Sequence, residues 1–418
     1  MAYILDPEKL IERKKYLDTL ISYKDKRVIK VITGIRRCGK STLLFNIYAD
    51  WLRANGISKK QIILVDLELK SNSHLLTEQA LFDHINSRLV KGKKNYVIID
   101  EVQNCKDFQK AIDSLHIQKG VDVYITGSNA HILSGELATL LSGRYIEIEM
   151  LPLSFKEFVQ ATTKKGEDYS LERKYREYAQ VGGFPYLLEF KDSEKQTSDY
   201  LDSIYNTVFK KDIIDRHKIT NTAMLQDVIK FVFDNIGQPL SSKKISDTMT
   251  SNGRKISQPT IENYLSYMTE AYLIYKADRF DIKGREYLKF LSKYYVADAG
   301  LRNYLLNYRE IDRGRVLENI IYLELLRRDY KVSVGKVNEK EVDFVAVKNG
   351  EMLYIQVAET LYGEGGHKKT LERELAPFKA IRDFHQRLLL TMDYDINNSY
   401  EGIKHINALD FLMDDMLK

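Results

Sequence analysis

Short apolar runs alternate with stretches of helical periodicity through the first third of the chain. Val28 to Thr33, Ile62 to Leu67, Tyr96 to Asp100, Val121 to Thr126 and Tyr145 to Met150 are of strand length, and Thr42 to Gly56 is helical in pattern. This rhythm predicts βαβ units and a parallel sheet covered on both faces. Leu151-Pro152-Leu153-Ser154 breaks it, and Ser154 with Glu157 three residues on predicts a capping box at a helix start. Helical patterns follow from Phe155 to about Lys218, interrupted by Gly182-Gly183-Phe184-Pro185, which forces a turn. A new unit begins near Asn221: Met224 to Asn235, a helix opened by Ser241-Ser242-Lys243-Lys244-Ile245, and Ser257 to Leu273 after Asn252-Gly253. The β-prone runs Ile274 to Phe280 and Tyr294 to Ala297 complete the spacing of a winged helix-turn-helix. The remainder predicts a helix over Arg315 to Arg328 and strands at Glu341 to Val345 and Leu353 to Ala358.

The turn after the first strand carries the most specific chemistry. Gly34-Ile35-Arg36-Arg37-Cys38-Gly39-Lys40-Ser41 reads G-x-x-x-x-G-K-S between a strand and a helix, the context a phosphate-binding loop requires. Its backbone N–H groups curl around a β-phosphate, Lys40 reaches the β- and γ-oxygens, and the Ser41 hydroxyl ligates Mg²⁺. The nucleotide-binding candidates are therefore Gly34, Cys38, Gly39, Lys40, Ser41 and Thr42, with ATP and Mg²⁺ as cofactors.

Tyr96-Val97-Ile98-Ile99-Asp100-Glu101 is an apolar strand ending in two acids. Asp100 is placed to hold Mg²⁺ through water, with Ser41 as the other metal residue, and Glu101 to polarise the attacking water. A solvated acid pair is the plainer alternative. The strand at 62–67 between the two motifs suggests the additional-strand class of P-loop ATPases. Ile125-Thr126-Gly127-Ser128-Asn129 puts a hydroxyl and an amide at the carboxyl edge of the sheet, so Ser128 or Asn129 is the candidate γ-phosphate sensor, unless Gly-Ser-Asn merely forms a turn. Arg144, in Leu141-Ser142-Gly143-Arg144, is a candidate finger for the transferring phosphoryl group, acting within one chain or across a subunit boundary, with a plain surface arginine as the alternative. A homo-oligomer follows from the cross-boundary option.

Composition narrows the setting without changing the chemistry. A chain of 418 residues with 44% hydrophobic content supports several cores, roughly two to four domains. The 64 Lys+Arg against 59 Asp+Glu leave +5, too mild to demand nucleic acid or membrane, so any basic footprint is local. Only Cys38 and Cys105 are present, with no spacing for zinc or disulfides, which fits a reducing cytoplasm. Met1 to Leu20 has no apolar core of a leader peptide, and no uncharged run approaches a membrane span, so neither export nor insertion is expected.

The two nucleotide motifs, with Val102-Gln103, Thr126-Gly127-Ser128, Ser142-Gly143-Arg144 and Leu151-Pro152-Leu153-Ser154-Phe155, resemble the prokaryotic AAA-type ATPases that carry a C-terminal domain of unknown function. The resemblance continues through Gly182-Gly183-Phe184-Pro185, Tyr295-Val296-Ala297-Asp298-Ala299-Gly300-Leu301 and Gly314-Arg315-Val316-Leu317-Glu318-Asn319, nearly the whole chain. It implies ATP binding, a winged-helix segment and a C-terminal fold similar to restriction-endonuclease-like nucleases. The expected class is α/β: a P-loop ATPase core with a parallel sheet and an N-terminal helix (1–151), a helical lid (152–220), a winged helix-turn-helix (221–298) and a degenerate restriction-endonuclease-like domain (299–418).

Nucleases of the PD-(D/E)xK type need an Asp and an E-x-K, the acids to bind Mg²⁺ and the lysine to assist the nucleophile or the developing charge. Glu318 and Asp343 match, but the third motif reads Gln356-Val357-Ala358. The Gln356 carbonyl is a weak ligand and Ala358 supplies nothing, so an efficient nuclease is not expected unless Lys340, Lys368 or Lys369 takes the missing role. In the middle segment Lys243, Lys244, Arg254 and Lys255 are candidate phosphate contacts, and Gln258 and Thr260 candidate base contacts, making DNA the expected partner. A protein-binding winged helix is the competing reading, because Tyr264, Tyr267, Tyr272 and Tyr275 are either core or interface. Three functions follow: an ATP-driven switch or remodeller acting on DNA, an ATP-gated Mg²⁺-dependent nuclease, or a signalling ATPase that binds protein partners and no nucleic acid.

Overall fold

The computed structural model describes residues 10–130, 141, 143–163, 166, 168–190, 193–309, 312–362, 366–394 and 399–414; Ser142 of the Ser142-Gly143-Arg144 motif lies outside them. The chain divides into two compact units, 1–152 with 270–272, and 153–269 with 273–418.

In the first unit the five apolar runs become β1 (Ile29–Thr33), β2 (Ile62–Asp66), β3 (Asn95–Asp100), β4 (Val121–Thr126) and β5 (Tyr145–Glu149), all parallel in the order β2-β3-β4-β1-β5. β1, β3 and β4 are buried at every position, as a sheet covered on both faces requires, and the charges they carry inside, Lys30 of β1 and Asp122 of β4, pair with each other (2.5 Å). The additional strand is not the one read from sequence order: β2 lies at the sheet edge, and β4 separates the loop-bearing β1 from the acid-tipped β3. The expected N-terminal helix is Lys14–Ser22, which buries Tyr16, Leu17 and Leu20. Tyr272 also belongs to this unit. Its hydroxyl donates to Glu147 Oε1 (3.1 Å), which accepts the Thr33 hydroxyl as well (2.6 Å), on the residue just before the phosphate-loop turn.

The second unit opens with helices Phe155–Thr162, Leu171–Val181 and Glu194–Thr207. The capping box forms: Glu157 N donates to Ser154 Oγ (3.0 Å), and Ser154 N donates to Glu157 Oε2 (2.8 Å). Helices Thr222–Asp234, Ser242–Ser251 and Gln258–Glu270 then precede a hairpin, β6 (Ile274–Asp281) and β7 (Glu286–Val296). This hairpin does not end a segment by itself. β6 pairs in parallel with β8 (Lys331–Val337), so the hairpin continues a sheet through β9 (Lys340–Lys348), β10 (Glu351–Val357), β11 (Gln386–Thr391), β12 (Ser399–Tyr400) and β13 (Ile403–Asn407), in the order β12-β13-β11-β10-β9-β8-β6-β7. The strands placed by sequence in 221–298 and in 299–418 thus share one sheet. The helix Arg313–Arg327 contacts β7, β8, β9 and β10, and helix His367–Lys379 packs Leu375 and Phe378 into a core with Val342, Val345 and Leu389.

Candidate functional site

The loop after β1 curls because two glycines take backbone conformations that L side chains avoid, Gly34 at φ +134° and Gly39 at φ +107°. A Cβ on Gly34 would come within 2.2 Å of the Met150 carbonyl oxygen, so the loop packs against the end of β5. Lys40, 4% exposed, donates from Nζ to the Gly34 and Ile35 carbonyls (2.7 and 3.1 Å), which holds its ammonium across the loop. Ser41 and Thr42 lie in the first helical turn, Lys40–Thr42, and Cys38 is fully buried beneath the loop. Sequence reasoning missed Arg13. Its buried guanidinium donates to the Cys38 carbonyl (2.8 Å) and to the Leu151 carbonyl (2.6 Å), while Leu151 N donates to the Tyr16 hydroxyl (3.0 Å). A lone arginine before a helix carries no pattern that would have marked it.

Asp100 and Glu101 stand at the carboxyl end of β3, both almost fully buried. Thr126 at the tip of β4 joins them: its hydroxyl donates to Asp100 Oδ1 (2.5 Å) and accepts the Glu101 N–H (2.9 Å). Burial, and then the charge of Glu101, pushes the Asp100 carboxyl up to about 6 against hydrogen bonds from Thr126 and Ser41. Ser41 and Asp100 therefore meet, as a Mg²⁺ site needs. A hydroxyl and a carboxylate facing a phosphate loop suit Mg²⁺, which takes few protein ligands beside water and phosphate oxygens.

Glu101 sits in the left-handed region (φ 50°, ψ 51°), a strained position for this residue of the kind found at functional sites. Its Oε2 accepts from the Ser128 hydroxyl (3.1 Å) and from Gln103 Nε2 (2.5 Å), and Arg36 NH2 stands 3.9 Å away. Ser128 is thus brought to the acid, with the buried Asn129 beside it in the chain. Gln103 and Arg36 were within the motifs but unassigned by sequence.

Arg144 is not brought to this group. β1 and β5 run parallel with Ile29 opposite Tyr145, so Arg144 precedes β5 at the end of the sheet where β1 begins; its carbonyl accepts the Ile29 N–H (2.8 Å). The length of β1, roughly 16 Å at 3.3 Å per residue, separates that end from the phosphate loop. Its guanidinium pairs with Asp113 Oδ1 (2.5 Å). The within-chain finger is corrected on this ground; the cross-subunit finger and the plain surface arginine, here paired with Asp113, both remain.

In the second unit Glu318 on helix Arg313–Arg327, Asp343 on β9 and Gln356 on β10 do converge. Asp343 N donates to Gln356 Oε1 (3.4 Å), and Val357 N donates to Asp343 Oδ2 (2.8 Å). The lysine among them is Lys293 from β7, none of the three considered from sequence. Its Nζ lies 2.9 Å from Glu318 Oε1, 2.8 Å from Glu341 Oε1 and 3.6 Å from Asp343 Oδ1. Tyr295, two residues on, donates its hydroxyl to Glu318 Oε1 (2.7 Å). Burial and the neighbouring Glu318 push the Asp343 carboxyl up to about 8; burial lowers the Lys293 ammonium, but Glu318, Asp343 and Glu341 outweigh it and hold it above the ordinary lysine value. Lys340 instead reaches the Ala376 carbonyl (3.4 Å).

The candidate DNA contacts fall into two sets. Lys243, Lys244 and Lys255 are exposed. Arg254 pairs with Asp227 (3.0 Å), Gln258 Nε2 donates to Glu262 Oε1 (3.0 Å), and the Thr260 hydroxyl meets that of Ser257 (2.7 Å) at the helix start. Glu262, which also accepts from Ser242 (2.8 Å), puts negative charge on the outward face of helix Gln258–Glu270. Tyr264, Tyr272 and Tyr275 are buried, which takes them from interface to core. Among the described residues no helix is long and apolar enough to cross a membrane.

Comparison with known proteins agrees with the first unit and leaves the second unnamed. The model of a family described as an AAA domain matches residues 26–159, and a domain of unknown function (DUF8612) matches residues 172–312. An uncharacterized protein of Haemophilus influenzae is 39% identical over 405 residues, 97% of this chain and 99% of that protein. One from Methanocaldococcus jannaschii is 31% identical over 403 residues, 91% of this chain and 85% of that protein. Among solved structures, a Walker-type ATPase of Pyrococcus abyssi covers 73% of this chain and 99% of its own at a TM-score of 0.50 and 16% identity, a likeness of fold alone.

Proposed function

We propose that this chain, which belongs to one family with the uncharacterized Haemophilus influenzae protein and carries an AAA-type P-loop domain over residues 26–159, hydrolyses ATP with Mg²⁺. The observation that carries the reading is the Glu101 carboxylate, held on strained backbone by Ser128 one residue beyond an Asp100 that meets Ser41. In this reading Lys40 neutralises the β- and γ-oxygens, and Ser41 and Asp100 hold Mg²⁺, Asp100 through water. Glu101 orients and polarises the attacking water, and Ser128 or Asn129 reports on the γ-phosphate. Mg²⁺ spreads the charge that develops on the phosphoryl oxygens. Arg144 stabilises that charge in the site of a neighbouring copy. Phosphate release from Mg²⁺-ATP tests this: the wild type turns over, and Lys40→Ala, having lost nucleotide affinity, does not. Tight ATP binding by the wild type with no phosphate released would sink the reading.

The hydrolysis cycle is taken to drive a switch that acts on DNA. Support comes from three helices followed by a hairpin with Lys243, Lys244 and Lys255 exposed. Because Gln258 and Arg254 are engaged within the protein and Glu262 faces outward, phosphate contact dominates over base reading. Duplex binding should therefore weaken with salt whatever the sequence, and Lys243→Ala with Lys244→Ala should lower the salt slope by about two. Binding that ignores both salt and these lysines would favour the protein-binding class instead.

A further inference from the structure

We propose that Lys293 is a built-in cation standing where a nuclease of this kind would hold a divalent metal, so that the acid cluster of the second unit is a metal-independent joint. A lysine ammonium has three N–H donors and no acceptor. Here two of them reach Glu318 and Glu341 at 2.9 and 2.8 Å, and the next carboxylate, Asp343, lies 3.6 Å away. Two of its three donors are thus taken by carboxylates and a third carboxylate stands within ion-pair distance, so the ammonium is held as the counter-ion of the acids.

The acids are equally committed. Glu318 Oε1 also accepts the Tyr295 hydroxyl, and Asp343 Oδ2 accepts the Val357 N–H. Gln356, standing where the motif has an anionic ligand, uses both ends of its amide inside the protein. It accepts from Asp343 N and donates to Glu374 Oε2 (3.1 Å). Among the described residues no group of three His, Cys, Asp or Glu side chains is arranged to hold a metal ion. Mg²⁺ needs oxygens near 2.1 Å in octahedral array. The Lys293 ammonium fills the volume between Glu318 and Asp343 that such an ion would use.

What the lysine does instead is mechanical. It is 2% exposed on β7, and its partners stand on helix Arg313–Arg327 and on β9. One side chain therefore ties β7, at the edge of the sheet, to the helix and to β9. Withdrawing one partner from a buried set of charges leaves the others uncompensated, so the joint resists substitution from either side.

The experiment counts bound Mn²⁺ by electron paramagnetic resonance on the full chain without nucleotide, with thermal unfolding in parallel. Wild type, Asp343→Asn and Glu318→Gln should bind the same number of Mn²⁺, and Mn²⁺ should shift their unfolding midpoints equally. Lys293→Met should gain one Mn²⁺ per chain and lose it again in Lys293→Met with Asp343→Asn. If Lys293→Met unfolds in chelator, recovery of its fold by Mn²⁺ supports the proposal in the same way. One Mn²⁺ fewer in Asp343→Asn or Glu318→Gln than in the wild type overturns it, as does a folded Lys293→Met that gains no ion. Asp343-dependent DNA cleavage by the wild type overturns it too. None of these outcomes depends on ATP turnover, so failure here and failure of the ATPase reading are separate results.

Discussion

Thr126 shows how much of the nucleotide site rests on single side chains. Its one hydroxyl fixes the Asp100 carboxylate and receives the Glu101 N–H, so it sets both acids at once. Thr126→Val keeps the shape and removes both bonds; turnover should fall about ten- to a hundredfold while ATP affinity stays within a few-fold. Saturating turnover beside calorimetric binding checks this, and unchanged turnover would remove Thr126 from the account. Asp298 makes a similar point for stability. It accepts from Gly183 N (2.6 Å) and Leu301 N (3.1 Å), and burial pushes its carboxyl up to about 6. A raised carboxyl stabilises the fold fully below the ordinary value of 3.8 and loses that contribution as pH rises through 6. Urea unfolding from pH 4 to 7 should therefore show the wild type losing about 2 kcal/mol relative to Asp298→Asn, at 1.36 kcal/mol per pK unit, because part of the contribution is already gone at pH 4. A wild type that gains on the variant as pH rises would contradict this. Of the residues themselves, Lys40, Ser41, Asp100 and Glu101 were legible because each sits in a short contiguous motif at a strand end. Lys293 and Arg13 were not, because their partners are far away in sequence and neither stands in a pattern.

Elements were read more surely than their arrangement. The five strands of the first unit follow from apolar runs whose burial is local, and the helix starts at Ser154 and Ser241 follow from capping side chains. The order β2-β3-β4-β1-β5 and the pairing of β6 with β8 are long-range hydrogen bonding, which periodicity does not encode. Hence the expected additional strand was β2 when it is β4, and the hairpin assigned to a winged helix proved to continue the second sheet. Helix Lys14–Ser22 illustrates an element whose role only its latch reveals. The Arg13 fork spans the Cys38 and Leu151 carbonyls, joining the residue before that helix to the phosphate loop and to the second residue after β5. Arg13→Ala leaves two buried carbonyls without that donor, at about 1–3 kcal/mol each. We expect ATP affinity to weaken about tenfold with little change in turnover at saturation. Arg13→Lys should not rescue it, because one ammonium does not reproduce a planar fork. Normal affinity in both variants would reduce the latch to a stabilising contact.

For the whole molecule, the nucleotide chemistry lies in the first unit, and the exposed lysines and the Lys293 joint lie in the second. Arg144 lies at the end of the sheet away from its own phosphate loop, so the proposed finger there would serve only another copy's ATP. Chains with Arg144→Ala should be nearly inactive alone, and mixing them with Lys40→Ala chains should restore part of the turnover, since each supplies what the other lacks. A fully active Arg144→Ala protein would make the residue a surface arginine paired with Asp113. Beneath all of this stands the assignment of Glu101 as the group that activates water. Its most direct measurement is ATP affinity and turnover of Glu101→Gln side by side, where a neutral isostere keeps the shape and removes the base. The account predicts affinity at or above that of the wild type with turnover reduced at least a hundredfold; turnover near that of the wild type would contradict it.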